Sequence, residues 1–129
     1  MFRSGVYMIA MIIFSISLWG CASVSSDAVP QAGVHYFGTW GTYQVPLKPQ
    51  EPISKAEAKR RGTYYVGEYD QAGLLVRFDK ILSGRVEWSD RYVYRVDGSL
   101  QLRTMINSDG TTTQQTFDEK GTLRRSASQ

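Results

Sequence analysis

The chain has 129 residues, 42% hydrophobic and 21% charged, with a formal charge of +3 and a single cysteine. That length bounds it to one domain plus whatever flanks it, and the composition is globular rather than disordered. The small charge gives no basis for nucleic-acid binding, and one cysteine excludes both an intramolecular disulfide and zinc sites built on several cysteines.

In chain order, residues 1–20 have the anatomy of an export signal peptide. Arg3 and the amino terminus make a short positive region, and Val6–Leu18 is a continuous apolar run, VYMIAMIIFSISL. As a helix that run would rise about 20 Å, short of the ~30 Å that a bilayer core requires. It is apolar on every side, unlike a core helix with one polar face. Its removal takes away Arg3 alone among charged side chains and leaves the remainder at +2. Cys21 follows at once. Ala22–Gly33, ASVSSDAVPQAG, is small and polar and contains Pro30, so residues 21–33 are expected to form a flexible tether.

Leu18-Trp19-Gly20-Cys21 resembles the lipobox of bacterial lipoprotein precursors, with an aliphatic residue, a small residue just before the cysteine, and the cysteine itself. Trp19 stands where that family has a small residue. The resemblance implies that the Cys21 thiol takes a diacylglyceryl group, that cleavage precedes it, and that the new amino terminus is acylated. Several acyl chains anchor stably where one does not. Ala22, not Asp, follows the cysteine, which in the diderm members of that family implies the outer membrane. The expected location is therefore the cell envelope, lipid-anchored and facing the periplasm. The alternative is a plain cleaved signal, after Ala22, and a soluble secreted protein.

Val34–Pro49 is aromatic and β-branched with two glycines, which predicts an opening strand or two. Pro46, Pro49 and Pro52 predict an extended crossing loop, since proline cannot join a central ladder. Ser54 with Glu57 is a capping box, and Gly62 offers a helix stop, so one two-turn helix is expected between them. Beyond Thr63, glycines 73, 84, 98, 110 and 121 recur at the spacing of strand–turn–strand units, and Asp97-Gly98 and Asp109-Gly110 are hairpin signals. Six strands are predicted, at about 63–70, 74–82, 85–96, 99–106, 111–117 and 122–125. Tyr92, Tyr94 and Val96 alternate with Val93, Arg95 and Asp97; Leu100, Leu102 and Ile106 alternate with Gln101, Arg103 and Met105. Period two with one apolar face describes a half-covered sheet. Its lid is expected from the short helix and the Tyr36–Tyr43 segment.

The recurring frame, in Tyr69–Leu75, Tyr94–Leu100 and Phe117–Leu123, is aromatic, three residues, Gly, any residue, Leu. It resembles the strand–turn units of YD-type and MORN-type repeats, and the region is similar to a little-studied family of small proteobacterial domains. Neither likeness implies catalytic residues. The fold expected is mainly β: an antiparallel up-and-down meander with one short α-helix. The division is 1–20 signal peptide, 21–33 lipidated cysteine and tether, 34–125 β-rich domain, and 126–129 disordered tail.

No catalytic constellation, metal site or cofactor motif is legible. His35 is the only histidine and has no nucleophile near it in sequence. Glu87 and Asp90 flank Trp88, the best local imitation of a sugar-contacting cleft, and Trp40 belongs to a second aromatic cluster with Tyr36, Phe37 and Tyr43. The plainer reading puts Glu87 on the wet face of a sheet and the aromatics in a small core. Lys59–Arg61 could touch lipid head groups or simply be solvated helix-end charges. The function expected is a non-enzymatic envelope binding or accessory module, with the membrane as partner through Cys21, an envelope protein as the first ligand class and peptidoglycan as the second. The alternative is a soluble inhibitor or weakly glycan-active protein using Glu87, Trp88 and Asp90.

Overall fold

The computed structural model describes residues 29–129. The expected signal peptide, Cys21 and most of the expected tether lie outside the described residues. Eight strands form one antiparallel sheet: β1 (Gly33–Trp40), β2 (Pro49–Ile53), β3 (Thr63–Tyr69), β4 (Leu75–Leu82), β5 (Arg85–Tyr94), β6 (Leu100–Asn107), β7 (Thr112–Phe117) and β8 (Leu123–Ser128). One helix, α1 (Lys55–Arg60), lies between β2 and β3. The strand order is β2-β1-β3-β4-β5-β6-β7-β8, so β3 to β8 run up and down as a meander and β2 flanks β1 on the outside.

Four of the five turns of the meander share one form; the fifth, Ser83-Gly84 between β4 and β5, is a two-residue turn. Asp70, Arg95, Asn107 and Asp118 each accept a hydrogen bond from the glycine three residues on and donate to the carbonyl four residues on. Gly73, Gly98, Gly110 and Gly121 all have positive φ, which is why the frame requires glycine at that position. An aspartate in each of these four turns holds the following amides: Asp70 takes those of Ala72 and Leu74, Asp97 that of Ser99, Asp109 that of Thr111, and Asp118 those of Lys120 and Thr122.

Several sequence expectations are corrected. The proline-rich stretch is not all loop: Pro49–Ile53 is an edge strand, with Pro52 opposite Phe37 and Pro49 opposite Trp40. An edge strand needs amides on one side only, so it tolerates these prolines. The tail is not frayed, because residues 126–128 belong to β8 and Gln129 exchanges two backbone hydrogen bonds with Thr112. Gly33 is already in β1 rather than the tether. Val96 is fully exposed beyond the end of β5, not part of its apolar face.

The expected helix forms, with the Ser54 hydroxyl capping the Glu57 amide, and ends at Arg61 rather than Gly62. The chain must cross β1 to pass from edge strand β2 to β3, and α1 makes that crossing, packing on β1 and β3. Arg61 and Glu51 lie over Gly38, on the face opposite Phe37. The helix is therefore not the lid of the main core. That core gathers Phe37, Leu47, Leu75, Phe78 and Tyr92, with Tyr65, Trp88 and Tyr94 packed against it. Its cover is the loop between β1 and β2, which buries Leu47. Phe78 has no exposed surface, Tyr65 stacks on it at 5.6 Å between ring centroids, and Trp88 meets it edge-on at 5.9 Å.

Candidate functional site

Strand β5 aims Trp88, Asp90, Tyr92 and Tyr94 at the core face by simple alternation. Its neighbour β6 does not alternate simply. Val93 pairs with Leu102 but Tyr94 pairs with Leu100, which leaves Gln101 as an extra residue in a β-bulge. The phase of β6 changes there. Leu100 joins the core, but Arg103 then stands opposite Tyr92 and Met105 opposite Asp90. The expected pattern, with Leu102 and Ile106 facing in and Arg103 and Met105 facing out, is thus reversed beyond the bulge.

The consequence is a buried ion pair. Arg103 donates from Nε and Nη2 to Asp90 Oδ2, at 3.0 and 2.6 Å. Tyr92 donates its hydroxyl to the same oxygen at 2.9 Å and accepts the Leu47 amide at 3.1 Å. Arg103 Nη1 reaches Gln115 Oε1 on β7 at 3.3 Å. The chain of bonds runs from the covering loop through Tyr92, Asp90 and Arg103 to β7. Burial, followed by the Asp90 charge, raises the Tyr92 phenol well above the usual range, so it stays a neutral donor.

Over this pair lies a cleft of about 250 Å³ whose lining includes Trp40, Tyr43, Trp88, Asp90, Arg103 and Asn107. Trp40 meets Trp88 edge-on at 6.4 Å and Tyr43 at 5.1 Å, while Trp88 itself rests on Phe78. Trp88 is packed against the core, whereas Tyr43, 93% exposed, is the open rim. The cleft sits at the end of the sheet that carries the β1–β2 loop and the β6–β7 turn. The chain enters at the other end, where the position of a Gly73 Cβ would fall on the Val29 side chain. Eight residues of β1 separate the two ends, about 25 Å at strand rise.

Three of the four site residues expected within the described chain, Trp40, Trp88 and Asp90, come together here. Glu87 does not. It is the extra residue of a second bulge, between Val86 and Trp88, and its carboxylate lies 2.8 Å from Lys80. Glu87 and Asp90 are committed to different cations and do not form a carboxylate pair. Cys21 lies outside the described residues. Arg103, which sequence reasoning set on the wet face, is the residue missed. The signal was present in Met105-Ile106, two adjacent apolar residues that strict alternation cannot accommodate.

Elsewhere, His35 packs edge-on against Tyr69 and donates from Nε2 to the Gln31 carbonyl. Two of the three helix-end cations are already paired, Arg60 with Glu57 and Arg61 with both Glu57 and Glu51, and these arginines hold the Glu57 carboxyl below its ordinary pKa. Among the described residues no group of three or more His, Cys, Asp or Glu side chains is placed to hold a metal ion, and no helix is long and apolar enough to cross a membrane.

Residues 30–126 match a family model described as a family of unknown function, DUF6156. The matched span takes in seven strands whole and all but the last two residues of β8. No curated protein and no solved structure matches the chain.

Proposed function

We propose that this chain, which belongs to the DUF6156 family, is a lipid-anchored cell-envelope protein whose β domain works as a non-enzymatic binding module through the aromatic cleft. The anchor rests on the amino-terminal sequence: a positive start, a thirteen-residue apolar run, and Leu18-Trp19-Gly20-Cys21 followed by a small polar stretch. Ala22 after the cysteine favours the outer membrane, with the domain on the periplasmic side. The likeness of the turn frame to YD and MORN units supports a scaffold that presents a surface.

The observation that carries the binding role is the state of the charged groups in the cleft. Asp90 and Arg103 neutralise each other, and the Tyr92 hydroxyl is already engaged on both sides. Such a site is suited to holding a ligand rather than to moving protons. Its place also fits, because the cleft opens at the end of the sheet remote from the incoming tether. An envelope ligand would be met on the side away from the bilayer. The reading of Glu87 and Asp90 as a glycan-cleaving pair loses its basis with the Lys80–Glu87 ion pair.

Two measurements test this. Intact mass of the native protein should show acyl chains on an amino-terminal Cys21, and Cys21→Ser should release the domain from membranes; an unmodified thiol, or a Cys21→Ser form that still sediments with membranes, refutes the anchor. Capture of solubilised envelope components by the immobilised protein should fall at least tenfold in Trp88→Ala; undiminished capture refutes the cleft as the contact surface.

A further inference from the structure

Asp90 is 97% buried by residue surface, being 3% exposed, and all three of its hydrogen bonds fall on one oxygen. Its Oδ1 takes no hydrogen bond among the described residues, although Asp90 lines the cleft. Oδ1 is not among the fully buried atoms that lack a hydrogen bond, which in the described residues are Arg77 Nε and Glu87 Oε2, so it is an acceptor that still reaches solvent on a residue lining the cleft. A ligand donor has that position open to it. We propose that the cleft binds a neutral pyranose sugar, with a ring hydroxyl donating to Asp90 Oδ1 and the apolar face of the ring lying against Trp88. This deepens the binding role proposed above and rests on it.

Size, charge and polarity each narrow the ligand. A volume of about 250 Å³ accommodates one hexose ring but no folded element of a partner protein. The Asp90–Arg103 pair is balanced, so a cationic ligand would face Arg103 and an anionic one Asp90, each with a like charge inside the site. A neutral ligand meets neither penalty. The remaining polar capacity is mixed: Arg103 Nη1 donates a single long hydrogen bond to Gln115, and Asn107 uses its Nδ2 on Thr111, leaving its Oδ1 as an acceptor. Acceptors and a donor around an aromatic wall match the pattern of a sugar, which carries hydroxyls at its rim and C–H groups on its faces.

The test uses the full-length chain in detergent and follows tryptophan fluorescence, since Trp40 and Trp88 both border the cleft. The probes are chitotriose, cellotriose, and as charged controls glucosamine and glucuronic acid. A neutral trisaccharide should perturb the emission saturably, and the charged sugars at least tenfold more weakly. Binding should be lost in Trp88→Ala and weakened at least tenfold in Asp90→Asn, whose amide oxygen leaves no anion for the hydroxyl. Lys120→Ala, in the β7–β8 turn at the other end, should bind as the parent does. Because Asp90→Asn unbalances Arg103 and could unfold, Asn107→Ala provides a milder arm with an expected loss of about threefold. Failure of both neutral sugars, with envelope capture still dependent on Trp88, overturns the sugar and keeps the module. Failure of both overturns the two together.

Discussion

The hydroxyl of Tyr92 joins the covering loop to the buried ion pair, so replacing it with Phe isolates that link without opening a cavity. Tyr92→Phe keeps the ring, which is 3% exposed and packs among Phe37, Leu75 and Phe78. It removes the acceptor of the Leu47 amide and one donor of Asp90 Oδ2. Leu47 is 6% exposed, so its amide has little access to water; leaving it unpaired costs roughly 1–3 kcal/mol. Asp90 keeps both bonds from Arg103, and the loss of a third adds about 1–2 kcal/mol. The expected total is about 3 kcal/mol, a large share of the 5–15 kcal/mol that holds a typical domain. Urea unfolding should show it as a lower midpoint with an unchanged slope. Tyr94→Phe is the matched control: its hydroxyl makes a single bond, 2.6 Å to the Leu75 carbonyl, and its loss should cost about 1 kcal/mol. If the two variants lose the same amount, or Tyr92→Phe loses under about 0.5 kcal/mol, the loop is not held through this hydroxyl and the account of the cleft wall fails.

Three further outcomes follow from the geometry. Gly110→Ala meets no neighbouring atom but forces φ of +85° on an L-residue, so thermal unfolding should report about 1–2 kcal/mol lost purely to backbone strain. Arg103→Met leaves Asp90 as a buried unpaired charge and should cost about 3–5 kcal/mol by urea titration, whereas the double change Asp90→Leu with Arg103→Met should recover most of it. The turn carboxylates set the acid limb. Asp97 and Asp109 are held below their ordinary pKa first by the Ser99 and Thr111 hydroxyls, and Asp118 first by the Thr122 amide. Their contribution is therefore complete above the unfolded value of about 3.9 and is lost as pH falls through the lower folded values. Melting temperature should drop across that acid window, and Asp→Asn at all three should flatten the drop; an unchanged acid slope would remove these turns from the explanation.

Much of the fold was legible because it is written in local chemistry. Positive-φ glycines with an aspartate beside them specify the turns, and they do so in this structure wherever the frame occurs. The Ser54–Glu57 cap specified α1 for the same reason. What escaped depends on partners far away in sequence. Prolines 49 and 52 exclude a central strand but not an edge, and only the position of β2 outside β1 decides between them. The lid escaped too, since nothing local says that α1 must cross β1 on the face away from Phe78. Of the site, Trp88, Asp90 and Trp40 were legible as an unusual density of aromatic and acidic side chains. Glu87 was drawn in by adjacency and then displaced by a bulge that no local pattern announces.

The bulge at Gln101 explains why the cation comes to lie where the carboxylate needs it. Strict alternation from the Tyr94–Leu100 pair would put Arg103 opposite Arg91, which is itself opposite Arg77. Three arginines would then stand in one row on the far face, an arrangement that cross-strand repulsion disfavours. Asp90 would meanwhile face Thr104 and remain a buried anion with no cation, at a cost of several kcal/mol. One extra residue relieves both: it moves Arg103 onto the core face beside Asp90 and places Thr104 opposite Arg91. The same shift brings Met105 and Asn107 to the wall of the cleft. The irregularity in β6 and the existence of the cleft are thus one feature of the sheet, and the polar floor is a product of the phase change rather than an addition to a regular meander.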